Sequence, residues 1–82
     1  MSYEKVNQAK KTVIGTKQTV KAILGGHVVE ILVALDADNR ITQLAITTAE
    51  EHGVKIDFVE SKIELGKACG LQVGAAVVAI TV

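Results

Sequence analysis

Residues 28–35 read VVEILVAL, apolar at every position except Glu30. A strand with one wet face alternates apolar and polar residues. A run without alternation belongs to a strand covered on both faces. This stretch therefore predicts a central strand in a sheet that carries helices on both sides. The rest of the chain can be read outward from it.

Upstream, Gly25 and Gly26 close a helix that Thr16 is placed to cap. Before it, "TVI" (Thr12 to Ile14) is a short strand ended by Gly15. A first helix is expected from a Ser2 cap to about Lys11, with Tyr3, Val6 and Ala9 at helical spacing. Downstream, "DADN" is a turn in which Asp36 and Asp38 serve as helix caps. Ile41, Leu44, Ala45, Thr48 and Ala49 follow the spacing of one helix face, and Gly53 stops that helix. "VKIDFVE" alternates from Val54 to Phe58 and predicts a half-exposed strand. Ser61 and Glu64 form an S-x-x-E capping box for a helix ended by Gly70. "AAVVAITV" is the last buried strand. The order is α-β-α-β-α-β-α-β, an α/β protein forming a single domain over residues 1–82, without linker or internal repeat.

Composition narrows the function. A chain 49% hydrophobic and 22% charged is globular rather than disordered. Cys69 is the only cysteine, so neither an internal disulfide nor a multi-cysteine zinc site is available. A reducing, cytoplasmic setting fits, and no signal peptide precedes the first charges. The longest apolar run, Gly74 to Ile80, is far short of the ~20 residues of a membrane span. Net charge is zero, but its distribution is uneven. Residues 1–29 carry five lysines against Glu4, and residues 30–82 carry four bases against eight acids. That asymmetry fits a local basic surface, and equally a charge scattered around the fold.

Catalysis finds little support. His27 lies in a turn and His52 at a helix end, where the dipole accounts for it. Neither has metal-ligand spacing. Cys69 sits in the last turn of a helix, the wrong end to activate a thiol. No nucleophile–base–orienter set exists, and the glycine patterns of nucleotide sites are absent, so no enzyme, cofactor or metal is expected. With Tyr3 and Phe58 as its two aromatics, the chain has no platform on which to stack single-stranded bases.

Two stretches stand out. In "GTKQTVKA" (Gly15 to Ala22), lysines occupy the start of a helix, where the dipole disfavours cations by about 0.3–1 kcal/mol. With Lys17 at 0° on a helical wheel, Lys21 lies at ~40° and Gln18 at ~100°, opposite Val20 and Ile23. That face is either an ordinary solvated surface or an electropositive surface that donates to guanine O6 and N7. In "LGKACGLQVGAA" (Leu65 to Ala76), Leu71 and Val73 lie between Gly70 and Gly74. They either open the last strand and join the core, or form a small apolar surface with backbone amides able to reach phosphates.

Together these stretches resemble the kink-turn-binding ribosomal protein family of the L-seven-Ae/L-thirty-e type, in particular its small bacterial, ribosome-associated branch. "GTKQTVKAI" is similar to the family's Gly-Thr-Asn-Glu-x-x-Lys motif. "LGKACGLQVGAA" is similar to its Leu-Gly-x-Ala-x-Gly-Leu-Glu-Val-Pro-Ala-Ala loop. The likeness covers essentially the whole chain. It implies a three-layer α/β/α sandwich with a mixed, roughly four-stranded sheet that binds kink-turn RNA. Such an RNA is a duplex bent at a three-nucleotide bulge followed by sheared G·A pairs. The resemblance implies that Gly15 and Thr16 shape the turn, that Lys17, Gln18 and Lys21 contact the guanines of those pairs, and that Leu71, Gln72 and Val73 cover the extruded bulge nucleotide. The expected partners are a kink-turn in ribosomal RNA, on the large ribosomal subunit, or in a messenger leader such as a riboswitch. A monomer suffices, and no membrane is involved. The alternative is a ribosomal structural protein docking through another surface without kink-turn specificity. Lys17 stands where the family has Asn, Gln18 where it has Glu, and Gly74 where it has Pro. Lysine lacks the amide's directional pairing, glutamine lacks the charge, and glycine leaves the loop less preorganised. These changes imply weaker or more tolerant binding, partly offset by added positive charge near phosphates.

Overall fold

The structure, a computed structural model, describes residues 11–81. The helix expected from Ser2 to Lys11 therefore falls outside the described residues, Lys11 excepted. The described elements are β1 (Thr12–Ile14), α1 (Thr16–Leu24), β2 (Val28–Ala34), α2 (Asn39–Glu51), β3 (Lys55–Val59), α3 (Lys62–Ala68) and β4 (Val77–Thr81). The four strands form one mixed sheet in the order β1-β4-β2-β3. β4 runs antiparallel to both β1 and β2, while β2 and β3 are parallel.

β2 occupies the interior position that its sequence predicts. Ile31, Leu32, Val33 and Ala34 are all buried, and they divide by parity between two cores. Ile31 and Val33 join Ile23 of α1 and Ala45 and Ala49 of α2 on one face. Leu32 and Ala34 join Leu65 of α3 on the other. The layers are thus helices, sheet and helix. Val29, although inside the apolar run, is 53% exposed. The register against β4 shifts between Val28 and Glu30, and this bulge takes Val29 out of the alternation. The edge strand β3 is half-covered as expected, with Lys55 and Phe58 exposed and Val59 buried.

One expected helix face is rotated. α2 buries Thr42, Ala45, Thr48 and Ala49, but leaves Ile41 52% and Leu44 57% exposed. Small residues let this helix lie close to the sheet and to α1. The Thr48 hydroxyl donates to the Leu44 carbonyl at 2.7 Å, so it enters the core already satisfied. α1, α2 and α3 end at Gly26, Gly53 and Gly70, each with positive φ, where the sequence places their stops.

Candidate nucleic-acid interface

The strand directions collect the two stretches singled out from sequence at one edge of the sheet, where the strands β1, β2 and β3 end. The last residues of β1, β2 and β3 lie beside the first residues of β4: Ile14 opposes Val78, Val33 opposes Val77, and Ala34 opposes Val59. Each of these three strands is followed by a helix, so α1, α2 and α3 all begin at this edge. Their positive dipole ends are therefore gathered on one side of a chain whose net charge is zero.

The three starts differ. Asp38 caps α2 by accepting the Arg40 backbone N–H at 2.8 Å, and the Arg40 guanidinium, also hydrogen-bonded to it, holds the Asp38 carboxyl below its ordinary range. Ser61 caps α3 by accepting the Glu64 N–H at 3.2 Å, and Asp36 accepts the Lys62 N–H at 2.9 Å. α1 has no side-chain cap. The sequence predicts Thr16 as its cap, but Thr16 is the first helical residue and Gly15 holds the cap position. Gly15 adopts φ 107° and ψ 153°, a conformation that L side chains avoid. It donates to the Val77 carbonyl and accepts from the Thr19 N–H, both at 3.0 Å. A glycine cap offers no side-chain acceptor, so the first-turn donors of α1 face outward.

Around that open start lie the side chains singled out from sequence. Lys17, Gln18 and Lys21 are exposed, Thr16 is half-buried, and Thr19 and Ile23 are buried on the opposite face. The Gln18 amide folds back over the turn: a Cβ at residue 15 would come within 2.7 Å of Gln18 Oε1. The Gly15–Val77 hydrogen bond sets this cluster beside the end of the 71–76 segment.

The second stretch resolves into two roles. Leu71 is half-buried and packs on the α3-side core, while Gln72 and Val73 are exposed, Val73 to 69%. β4 begins only at Val77, so these residues form a loop and not the opening of the strand. Between the loop and α3 lies an open groove of about 640 Å³. Its walls are Leu71, Gln72, Val73 and Gly74 on one side and Lys62, Ile63 and Lys67 on the other. The floor is apolar and both lysines are exposed, a combination suited to a flat ring carrying a phosphate.

A sequence model of the ribosomal protein L7Ae/L30e/S12e/Gadd45 family matches residues 2–82. The chain belongs to this family. It is 56% identical over 80 residues to an RNA-binding protein of Bacillus pumilus, spanning 98% of both chains. It is 54% identical over 80 residues to RNA-binding protein YbxF of Geobacillus stearothermophilus, again spanning 98% of both. Among solved structures it resembles a Giardia lamblia 15.5kD RNA binding protein with a TM-score of 0.86 and 29% identity, over 99% of this chain and 73% of that one. All three of these relatives are named as RNA-binding proteins.

In this L7Ae-family chain, Lys62, Ile63 and Lys67 are residues that the sequence reading missed. The Ser61–Glu64 box places them on α3, but nothing local in the sequence shows that the 71–74 loop folds back on that helix. His52, Asp36 and Asp38 have structural partners. His52 Nδ1 lies 3.0 Å from the Thr48 carbonyl oxygen. Burial pushes the Cys69 thiol above its ordinary pKa, as befits a packing residue. Asp36 and Asp38 are caps as expected, but of two different helices. Among the described residues no helix is long and apolar enough to cross a membrane.

Proposed function

We propose that this protein acts as a single-domain, monomeric, non-enzymatic RNA-binding protein of the cytoplasm that stabilises kink-turns. The uncapped start of α1 enters the major groove at the sheared G·A pairs. There Lys17 and Lys21 donate to guanine O6 and N7, and Gln18 accepts from a guanine N–H. The α3–loop groove takes the extruded bulge nucleotide, its base against Val73 and Ile63 and its phosphate near Lys62 and Lys67. The observation that carries this reading is the Gly15–Val77 hydrogen bond, which ties the turn before the cationic helix start to the strand that follows the groove's loop, three residues beyond Gly74. A kink-turn offers the same pairing of features, stacked G·A edges next to one unstacked base. The target is a kink-turn in ribosomal RNA or in a messenger leader such as a riboswitch. The names of the relatives support RNA as the ligand.

The test is a binding titration against a kink-turn RNA and a control in which the G·A pairs are replaced by Watson–Crick pairs. A base-edge contact is worth about 1–3 kcal/mol, so the control is expected to bind ~100-fold or more weakly. Lys17→Ala should weaken binding to the kink-turn and leave the control almost unchanged. Equal affinity for both RNAs, or no response to Lys17→Ala, would point instead to docking through another surface.

A further inference from the structure

The groove has a feature that its lining residues do not explain. The 71–74 loop lies directly on α3, backbone against backbone. At Gly66, in the middle of α3, a Cβ would overlap the Val73 carbonyl oxygen and lie 3.1 Å from the Val73 carbonyl carbon and 3.2 Å from Gly74 Cα. No rotamer change can relieve an overlap with main chain. The loop is also tied at both ends to carbonyls one helical turn apart. The Leu71 N–H donates to the Gly66 carbonyl and the Ala75 N–H to the Lys62 carbonyl, both at 2.9 Å. The helix itself is anchored at its start by Asp36, 26 positions earlier in the chain, which accepts the Lys62 N–H.

We propose that Gly66 and Asp36 are positioning residues for the groove: Gly66 seats the 71–74 loop against α3, and Asp36 ties α3 to the turn after β2. The two walls then hold one spacing before RNA arrives. Neither residue touches the nucleotide. Both lower the ordering cost of binding it, because the loop is already where the base needs it. The consequence for binding rests on the kink-turn reading, but the seating of the loop does not.

The experiment has two arms, run on the full chain. In the first, amide hydrogen exchange is compared between wild type and Gly66→Ala without RNA. Leu71 and Ala75 amides are expected to exchange ~10-fold or more faster, while Leu32 and Val78 keep their protection. In the second, each protein is titrated with a kink-turn RNA and with the same RNA made abasic at the bulge nucleotide. The abasic change should cost wild type ~10-fold and Gly66→Ala less than about twofold, since the seat is already lost. Unchanged exchange at Leu71 and Ala75, or an intact abasic penalty, overturns the proposal. Wild type that ignores the kink-turn overturns the RNA reading instead, and the exchange arm then decides the seating alone. If Gly66→Ala does not fold, the exposed Asp36→Ala substitution replaces it. It should speed Lys62 exchange and shrink the abasic penalty, and Asp36→Asn, which keeps the acceptor, should restore both. Asp36→Ala indistinguishable from wild type would refute the tie.

Discussion

The start of α1 leaves its backbone donors without a side-chain cap and surrounds them with Lys17, Gln18 and Lys21. The 71–74 loop does the reverse: it ties its backbone to α3 and turns Val73 outward beside Ile63. One half of the interface offers unsatisfied charge and dipole, which act at a distance and are screened by salt. The other offers Val73 and Ile63, apolar surface in a fixed shape that acts only at contact and is nearly indifferent to salt, and carries its charge in Lys62 and Lys67 along the α3 wall. On the kink-turn reading proposed above, the contrast separates two jobs, attraction and reading on the α1 side and seating on the α3 side, and makes them experimentally separable.

The largest effect should come from the α1 side. Replacing both Lys17 and Lys21 by alanine is expected to weaken kink-turn binding ~100-fold at low salt, at about 1–3 kcal/mol for each base contact. It should also flatten the dependence of log K on log salt by about one to two, the share of two released counterions. A titration series from low to physiological salt measures both. A smaller effect belongs to the groove. Val73→Ala removes two methyl groups' worth of contact, about 1 kcal/mol, so affinity should fall ~5-fold with the salt slope unchanged. A slope that falls with Val73→Ala as it does with the lysines would erase the distinction between the halves. The smallest effect concerns loop stiffness. Gly74→Pro restores the residue the family pattern carries at a position outside positive φ. A Cβ there meets the flexible Lys62 side chain first, at 3.1 Å. Thermal unfolding should show a gain of about 0.4–1 kcal/mol from the stiffer unfolded chain. A lowered melting temperature would mean that the loop needs a backbone freedom its contacts do not reveal.

What could be read from sequence follows the range of the interactions involved. VVEILVAL identifies the central strand because burial on both faces is written in consecutive residues. The helix stops were legible because a glycine at the end of an apolar period is a local signal. The buried face of α2 was misjudged because hydropathy favours Ile41 and Leu44, whereas close packing favours Thr42, Ala45, Thr48 and Ala49. Thr16 looked like a cap by residue type, but Gly15 claims that place through a φ that no side chain records. Lys17, Gln18 and Lys21 could be grouped from sequence because they share one helix face, and all three are exposed. Lys62 and Lys67 could not, because their relation to Leu71 and Val73 exists only once the loop folds back on α3. The Asp36 tie spans 26 residues and leaves no local trace. Gly66 did leave one: a glycine inside a helix costs ~1 kcal/mol against alanine and signals a close backbone approach.

The position of β4 has a consequence for when the interface can exist. It is the last of the four strands to be synthesised, yet it lies between β1 and β2. Until it arrives, β1 has no neighbour in the sheet, Gly15 has no Val77 carbonyl to hold the turn, and the α3 loop has no strand to lead into. Contacts this distant in sequence form late and together. A growing chain can therefore display its lysine-bearing helix before it can display a folded site, and competence for RNA should appear in one step as the final strand slots into the middle of the sheet.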